Sequence, residues 1–147
     1  MKIFVLSTSQ PRPQRLWQVA GLRKSNGTAI LGQISEGLDG KVAQVIIDWI
    51  KITQKDFCKM SGISSNALSR ALKTRFSSAQ SERLVRIIRT IDRAVELFEG
   101  DKDETQKWLR TPNIALDWKE PAELMASETG AYEITKLITR IENGVYS

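Results

Sequence analysis

The sequence contains no histidine and only one cysteine, Cys58. Without histidine the chain lacks the side chain that most readily shuttles protons near neutral pH, and it cannot form Ser-His-Asp or Cys-His catalytic arrangements. One cysteine excludes an internal disulfide, and a conventional zinc site has no adequate set of ligands. The Asp and Glu residues fall at helix starts and on polar helix faces, where capping or solvation accounts for them. We therefore predict a protein that is not an enzyme and has no cofactor.

Long apolar runs are also missing. Apolar residues make up 41% of the 147 residues, but no stretch approaches the roughly 20 apolar residues that a membrane helix needs. Residues 1–6 carry one charge, and their apolar stretch is too short for a signal peptide. We therefore expect a cytoplasmic protein without a membrane partner.

Charge is distributed unevenly along the chain, although the total is only +5. The balance is +4 over residues 1–51, +6 over residues 52–95 and −5 over residues 96–147. A basic segment attracts polyanions, whereas an acidic segment is repelled by them and suits a different, basic partner. The simplest interpretation is two surfaces with two partners.

The first third of the chain changes character at Leu38. Residues 1–37 hold two prolines and four glycines, and their apolar positions follow no sustained period. We expect a mostly irregular arm there, in which residues 1–6 could add a short edge strand. Beyond Leu38 the apolar residues fall at helical spacing and predict a first helix that ends near Ile50; they are Val42, Val45, Ile46 and Trp49.

Two short helices joined by a tight turn are predicted next. Thr53 and Asp56 have the spacing of a capping box, which begins a helix. Gly62 suits the left-handed turn that ends this helix, and residues 64–66 offer caps for a second helix that reaches about Lys73. Phe57, Cys58 and Leu68 would face inward, so Cys58 is interpreted as a core residue and not as a nucleophile.

A helix-turn-helix of this form can bind DNA through its second helix, whose early residues meet base edges in the major groove. Asn66 could pair with an adenine edge and Arg70 with a guanine edge. Ser64 and Ser65 would lie in the same groove, and the candidates for phosphate contacts are Gln54, Lys73 and Arg75. The alternative is an ordinary helical hairpin with polar surface residues, since short helix pairs around a glycine are common.

The longest periodic stretch follows Ser77 and predicts a long amphipathic helix closed by Gly100. Its apolar positions are Leu84, Ile87, Ile88, Ile91, Val95 and Phe98. The other face carries Arg83, Arg86, Arg89 and Arg93, which are either solvated or contact a partner or the DNA backbone. We then expect a helix over about 103–110, a helix opened by Pro121 and broken by Gly130, and a last helix over about 131–143.

Residues 53–72, TQKDFCKMSGISSNALSRAL, resemble the Xre-type helix-turn-helix. The positions that carry this resemblance are Gln54, Cys58, Gly62 and Leu68. Residues 108–130, WLRTPNIALDWKEPAELMASETG, and residues 140–147, RIENGVYS, resemble the Xre/MbcA/ParS toxin-binding domain of antitoxins that pair with RES-domain toxins. This chain has Asp117-Trp118 where a glycine is usual in the loop before the Pro121 helix.

The resemblance implies an all-α fold in which a helix-turn-helix domain precedes a small helical toxin-binding domain. We divide the chain into an arm over residues 1–37, which the resemblance leaves unaccounted for, the helix-turn-helix and dimerisation region over 38–93, and the toxin-binding domain over 94–147. The resemblance implies an antitoxin that forms a homodimer, represses its own operator and blocks the substrate pocket of an NAD-consuming RES toxin. The chemistry of NAD would belong to the toxin.

Two alternatives remain open at this stage. The chain could be an Xre-family repressor whose C-terminal domain serves only dimerisation. It could also be a toxin-binding module that has lost DNA binding, which would show no salt-dependent affinity for an operator.

The candidate toxin-binding residues lie in the last third of the chain. Polar groups at a helix end or in a loop can orient a partner, which favours Arg110, Asn113, Glu123 and Arg140, although Asn113 could equally cap its own turn. The apolar candidates, which are core residues by default, are Trp108, Leu116 and Leu124.

The end of the sequence is unusually apolar for a chain terminus. It consists of Gly144, Val145, Tyr146 and Ser147. With the resemblance we interpret it as a plug for a pocket of the toxin. The alternative is that Val145 and Tyr146 fold back and seal the core beneath Ile138.

Overall fold

The computed structural model describes residues 15–23 and 27–144, which form nine α-helices and one 3-10 turn. The helices are α1 (Leu16–Val19), α2 (Thr28–Glu36), α3 (Lys41–Ile50), α4 (Gln54–Ser61), α5 (Ser65–Lys73), α6 (Ser78–Leu97), α7 (Lys102–Leu109), α8 (Pro121–Leu124) and α9 (Glu128–Glu142), and the 3-10 turn is Ile114–Leu116. The predicted all-α fold is confirmed. Among the described residues, no helix has the length and apolar character needed to cross a membrane.

Helix α6 lies at the centre of the fold. It packs against α1, α2, α3 and α4 from the first part of the chain and against α7 and α9 from the last part. Ten of its residues are buried, and Leu84, Ile87, Ile88 and Ile91 have no exposed surface. Burial of each such side chain contributes about 1.5–3 kcal/mol. The buried residues from Leu16 to Ile138 form one continuous hydrophobic cluster, so the described chain has a single core.

The predicted helix-turn-helix is confirmed, but of the predicted capping box only the threonine half forms. The hydroxyl of Thr53 accepts a hydrogen bond from the amide of Asp56 at 3.0 Å, and the hydroxyl of Ser64 accepts one from Ala67 at 3.1 Å. Gly62 ends α4 with a φ of +73°, a left-handed conformation that glycine adopts without a steric penalty. Cys58 is half-buried against the core, and burial raises the pKa of its thiol. A protonated thiol is a weak nucleophile, which agrees with its interpretation as a packing residue.

The irregular arm predicted for residues 1–37 is wrong for the part that the structure describes. Helices α1 and α2 lie there, and α1 begins where the carboxylate of Asp92 accepts hydrogen bonds from the amides of Leu16 at 2.7 Å and Trp17 at 3.1 Å. Burial raises the pKa of this carboxyl group, and the two amide hydrogen bonds oppose that shift. Because the cap comes from α6, local periodicity could not reveal it. The strand considered for residues 1–6 lies outside the described residues.

The prediction that Gly130 separates two helices is also wrong. Helix α9 begins at Glu128, and Gly130 lies in its first turn, where its amide donates to the Ser127 hydroxyl at 2.9 Å. A side chain at Gly130 would collide with the carbonyl of Leu124, the last residue of α8. The glycine therefore permits close packing of α8 on α9, and Ser127 is the cap that marks the helix start.

Candidate functional site

Helix α5 has one buried face and one exposed polar face. Ala67, Leu68 and Ala71 are buried. We call the exposed polar residues the recognition face: Ser65, Asn66, Ser69, Arg70 and Lys73. Asn66, Arg70 and Lys73 are spaced by four and three residues, so they lie along one side of the helix. An amide donor and acceptor followed by two cations is chemically suited to base edges flanked by phosphates.

Some of the other predicted DNA-binding side chains are exposed, and others already form hydrogen bonds within the fold. Gln54 is exposed at the start of α4, and Ser65 is exposed at the start of α5. The hydroxyl of Ser64 already caps α5. Arg75 follows α5, and its guanidinium donates to the carbonyl of Gly37 at 2.9 Å, which ties the end of the helix-turn-helix to the segment before α3. The structure therefore brings most of the predicted set to one surface but gives Ser64 and Arg75 internal roles.

The arginine face of α6 holds the fold together at three points. Arg83 donates to the carbonyls of Ser61 and Gly62 at 3.2 and 3.1 Å, and so fixes the turn between α4 and α5. Arg86 donates to the carbonyl of Ala126 at 2.6 Å, just before α9 begins. The expectation of a solvated or partner-binding face does not hold for these side chains, because the backbone of their own chain is their partner.

Arg93 is the third of these points. Its two guanidinium nitrogens donate to the carboxylate oxygens of Glu142 at 2.7 and 2.8 Å, and one of them also reaches the Thr139 hydroxyl at 3.2 Å. This two-pronged geometry is the strongest form of an arginine–carboxylate contact. Hydrogen bonding to Arg93 lowers the pKa of Glu142 and raises the pKa of Arg93. The end of α9 is thereby fixed to α6.

Three of the apolar candidates for toxin binding pack into the fold. The rings of Trp108 and Phe98 are tilted with centroids 6.1 Å apart, and Trp108 is half-buried. Leu116 is 8% exposed, and Leu124 packs half-buried against the core. Their default interpretation as core residues accounts for these positions, and Leu116 offers almost no surface to a partner.

The polar candidates take up three different positions. Arg110 and Glu123 line a cleft of about 390 Å³ between α4 and α8. Arg110 lies 3.8 Å from the Glu120 carboxylate, and the carboxylate of Glu123 accepts from the Glu120 amide at 3.0 Å. The side chain of Asn113 accepts from the amide of Ala115 at 2.9 Å and therefore caps its own turn.

The remaining candidates lie at the end of the chain. Arg140 is half-buried in the last turn of α9, and Gly144 follows with a φ of +77°. Val145, Tyr146 and Ser147 lie outside the described residues.

Sequence reasoning missed the exposed apolar residues of this region. Ile114, Trp118 and Tyr132 are 71%, 65% and 64% exposed. Asp117 and Trp118 both have a left-handed backbone, with φ of 58° and 64°. A residue other than glycine in this conformation costs about 1–3 kcal/mol. The signal was present in the sequence as Asp117-Trp118 at a position where glycine is usual, but the candidates predicted from this loop were Asn113 and Leu116 and not its exposed apolar residues.

Two domain families match this chain. Residues 29–89 match the antitoxin Xre-like helix-turn-helix domain, and residues 93–144 match the antitoxin Xre/MbcA/ParS C-terminal toxin-binding domain. The protein Antitoxin Xre of Yersinia enterocolitica is 37% identical over 142 residues, covering 95% of this chain and 96% of the relative. Antitoxin Xre of Photorhabdus laumondii is 33% identical over 150 residues and covers 100% of both chains. With both domains matched in order and relatives similar along their full length, this chain belongs to the antitoxin Xre family.

Proposed function

We propose that this chain is the antitoxin of a type II toxin–antitoxin pair, and that it represses its own promoter and silences a RES-type, NAD-consuming toxin by covering the toxin's active site. It acts by binding and has no catalytic step of its own. The observation that carries the proposal is the coexistence, on one core, of a cationic recognition face and an acidic C-terminal domain of the toxin-binding family. The protein works as a homodimer in the cytoplasm, so that two recognition faces meet two half-sites of an operator.

The DNA-binding part of the proposal depends on α5. Arg70 would pair with a guanine edge and Asn66 with an adenine edge, whereas Lys73 and Gln54 would contact phosphates without reading sequence. The basic balance of residues 52–95 would attract DNA, and the acidic balance of residues 96–147 would keep the C-terminal domain away from it.

The test compares Arg70→Ala with Lys73→Ala on a DNA fragment from the chain's own promoter. Arg70→Ala should cost about 1–3 kcal/mol of binding free energy and relax the preference at one base position. Lys73→Ala should weaken binding to all sequences alike. Lys107 is an exposed cation of α7, and Lys107→Ala should change neither the affinity nor the base preference. Unaltered affinity and specificity of Arg70→Ala in gel-shift titrations would contradict the assignment of α5 to the groove.

The toxin-binding part depends on the C-terminal domain. We propose that Arg110, Glu123 and Arg140 orient the toxin at the edge of the contact, and that residues 144–147 enter its substrate pocket. An acidic domain attracts a basic partner and also speeds the encounter with it. Asn113 contributes by holding its turn in shape, since its side chain is used as a cap.

Co-expression with the protein encoded by the adjacent gene tests this part. That protein alone should arrest growth and lower cellular NAD, and co-expression with the chain should restore both. Removal of residues 144–147 should abolish the rescue while operator affinity and thermal midpoint stay unchanged. Full rescue by the shortened chain would exclude the plug, and a large drop in midpoint would indicate that these residues seal the core.

The two activities should also separate. An Arg70→Ala, Lys73→Ala double variant should still restore growth because the toxin contacts lie elsewhere. If the full chain binds its operator but forms no complex with the adjacent gene product, the chain is a repressor whose C-terminal domain serves another purpose.

A further inference from the structure

We propose that the turn of residues 113–119 is a main anchor of the toxin interface, where Ile114 and Trp118 enter an apolar pocket with a basic rim on the toxin. This inference rests on the proposed function and names a contact surface separate from the end of the chain. Three properties of the turn support this inference: its rigidity, its exposed apolar side chains and its strained, left-handed backbone.

The turn is closed by hydrogen bonds of its own backbone. The amide of Asn113 donates to the carbonyl of Lys119 at 3.1 Å, and the amide of Trp118 donates back to the carbonyl of Asn113 at 2.9 Å. Leu116, at the centre of the turn, is buried and fixes it to the core. A turn held in this way is already ordered before a partner arrives, so binding costs it little conformational entropy.

The side chains on this rigid turn are unusual for a water-exposed surface. Ile114 and Trp118 are 71% and 65% exposed, whereas Trp49 is 7% exposed and covered by the core. Tryptophan is among the residues most enriched at the energetic centres of interfaces, because one ring buries a large apolar area. Two such side chains on one short turn form a compact anchor.

The backbone conformation is the third observation and is independent of the other two. Asp117 and Trp118 are consecutive left-handed residues, and a bulky aromatic residue is a pronounced outlier there. Glycine or asparagine at Trp118 would relax the backbone, so the conformation of the turn gives no reason for an indole ring at this position. Residues with a strained backbone are more frequent at functional sites, where the surrounding structure maintains the unfavourable conformation. The ring is therefore best explained by what it binds.

The charge of the domain indicates the kind of occupant. Within the turn the exposed Asp117 and Lys119 offset each other, but the segment of residues 96–147 that carries the turn has a balance of −5. A polyanion such as DNA would be repelled from this surface, whereas a pocket rimmed by Lys or Arg would be attracted. Within the proposed function, the partner with that chemistry is the toxin.

The test uses a pair of glycine substitutions that relax the same turn and differ in the ring. Trp118→Gly removes the ring, and Asp117→Gly is the matched control that keeps it. Affinity for the purified product of the adjacent gene is measured by calorimetry, together with thermal midpoint, operator affinity and mass in solution. Trp118→Asn is a second variant, because asparagine tolerates the left-handed conformation.

We expect Trp118→Gly and Trp118→Asn to lose about tenfold or more in toxin affinity, with an unchanged or higher midpoint and unchanged operator affinity. Asp117→Gly should retain most of the affinity, since it keeps both apolar anchors. Wild-type affinity in both Trp118 variants would overturn this inference and leave the proposed function standing. So would a strongly lowered midpoint in both, which would make the ring a structural residue.

Two further outcomes are decisive. If the Trp118 variants change the mass of the free chain in solution but not its toxin affinity, the turn is a contact between two copies and the inference is overturned. If the unaltered chain does not bind the product of the adjacent gene at all, the proposed function fails and the inference fails with it.

Discussion

Lys51, Glu99, Asp117 and Trp118 are the residues other than glycine that have a left-handed backbone in the described ranges. Lys51 stands directly after α3, with a φ of 65°, and Glu99 lies just beyond α6 with a φ of 53°. These two positions are helix ends, where glycine is the usual residue. At these two positions the left-handed backbone terminates a helix, whereas Asp117 and Trp118 lie in a turn between helices.

Replacing Lys51 by glycine should stabilise the protein. The substitution removes the clash of a Cβ atom in the left-handed region, and the carbonyl of residue 51 can still accept from Arg110. The free energy of unfolding in urea should rise by about 1 kcal/mol. Lys55→Gly, at an exposed position inside α4, is the control and should lower it by a similar amount. Destabilisation by Lys51→Gly would show that its side chain has a role that outweighs the strain.

For single residues the sequence is informative where the interacting groups lie close together along the chain. Thr53, Gly62 and Ser64 were identified correctly because a cap or a left-handed turn is set by residues within three positions. Asp92 could not be assigned its role, since it caps α1 from 76 residues away. The roles of Arg83 and Arg86 were likewise not predicted. Regularly spaced arginines give the same sequence pattern whether their hydrogen bonds are accepted by water or by a distant backbone carbonyl.

Among the elements, α9 depends on a glycine for its position. Gly130→Ala should destabilise the fold by about 1–3 kcal/mol because the new methyl group would collide with the carbonyl of Leu124. Gly32→Ala, inside α2 with no atom near the added methyl group, is the matched control. It should stabilise by up to about 1 kcal/mol, as alanine normally does within a helix. Equal effects of the two substitutions in chemical denaturation would contradict the packing of α8 on α9.

The ion pair of Arg93 and Glu142, which joins α6 and α9, should make a pH-dependent contribution to the stability of the fold. Arg93 holds the pKa of Glu142 below its ordinary value, so the carboxylate is favoured in the folded state. The resulting stabilisation is present above the ordinary glutamate pKa, about 4.3, and is lost as the pH falls through the lowered value. Glu142→Gln should therefore lower the thermal midpoint at pH 7, and the difference from the unaltered chain should shrink below about pH 4.

Glu133→Gln is the control for that experiment. Glu133 pairs with Lys136 on the surface of the same helix at 3.9 Å, and exposed pairs of this kind contribute little. Its midpoint should follow that of the unaltered chain at every pH. A difference for Glu142→Gln that stays constant from pH 7 to pH 2 would indicate that the contact acts through packing and not through charge.

For the whole molecule, the single core predicts one unfolding transition. Ile134, Leu137 and Ile138 of α9 and Leu16 of α1 belong to the same cluster as the buried face of α6. Thermal unfolding followed by circular dichroism and by tryptophan fluorescence should therefore give coincident curves. Two separated transitions would show that the helix-turn-helix and the toxin-binding part unfold independently.

The overall architecture was largely accessible from the sequence, because helical periodicity and caps are local signals. The boundary proposed between residues 93 and 94 falls inside α6, however. The first family match ends at residue 89 and the second begins at residue 93, and both residues also lie within that helix. Hydrophobic periodicity cannot show that one helix serves two domains, since both sides use the same apolar stripe. The exposure of Trp118 was missed because a tryptophan between helices is expected to be largely buried.

The continuity of α6 also limits how partner specificity can be exchanged between related proteins. A hybrid joined at the family boundary would combine two halves of one helix, and its Arg86 would have to find a carbonyl supplied by foreign sequence. With a join between residues 93 and 94, Arg93 makes the same demand, because its partner Glu142 lies at the end of α9. The contacts of Arg83 stay within one parent, since Ser61 and Gly62 precede the join. Recombination at this boundary would therefore disturb contacts that cross α6, whereas a substitution in an exposed turn would leave them in place.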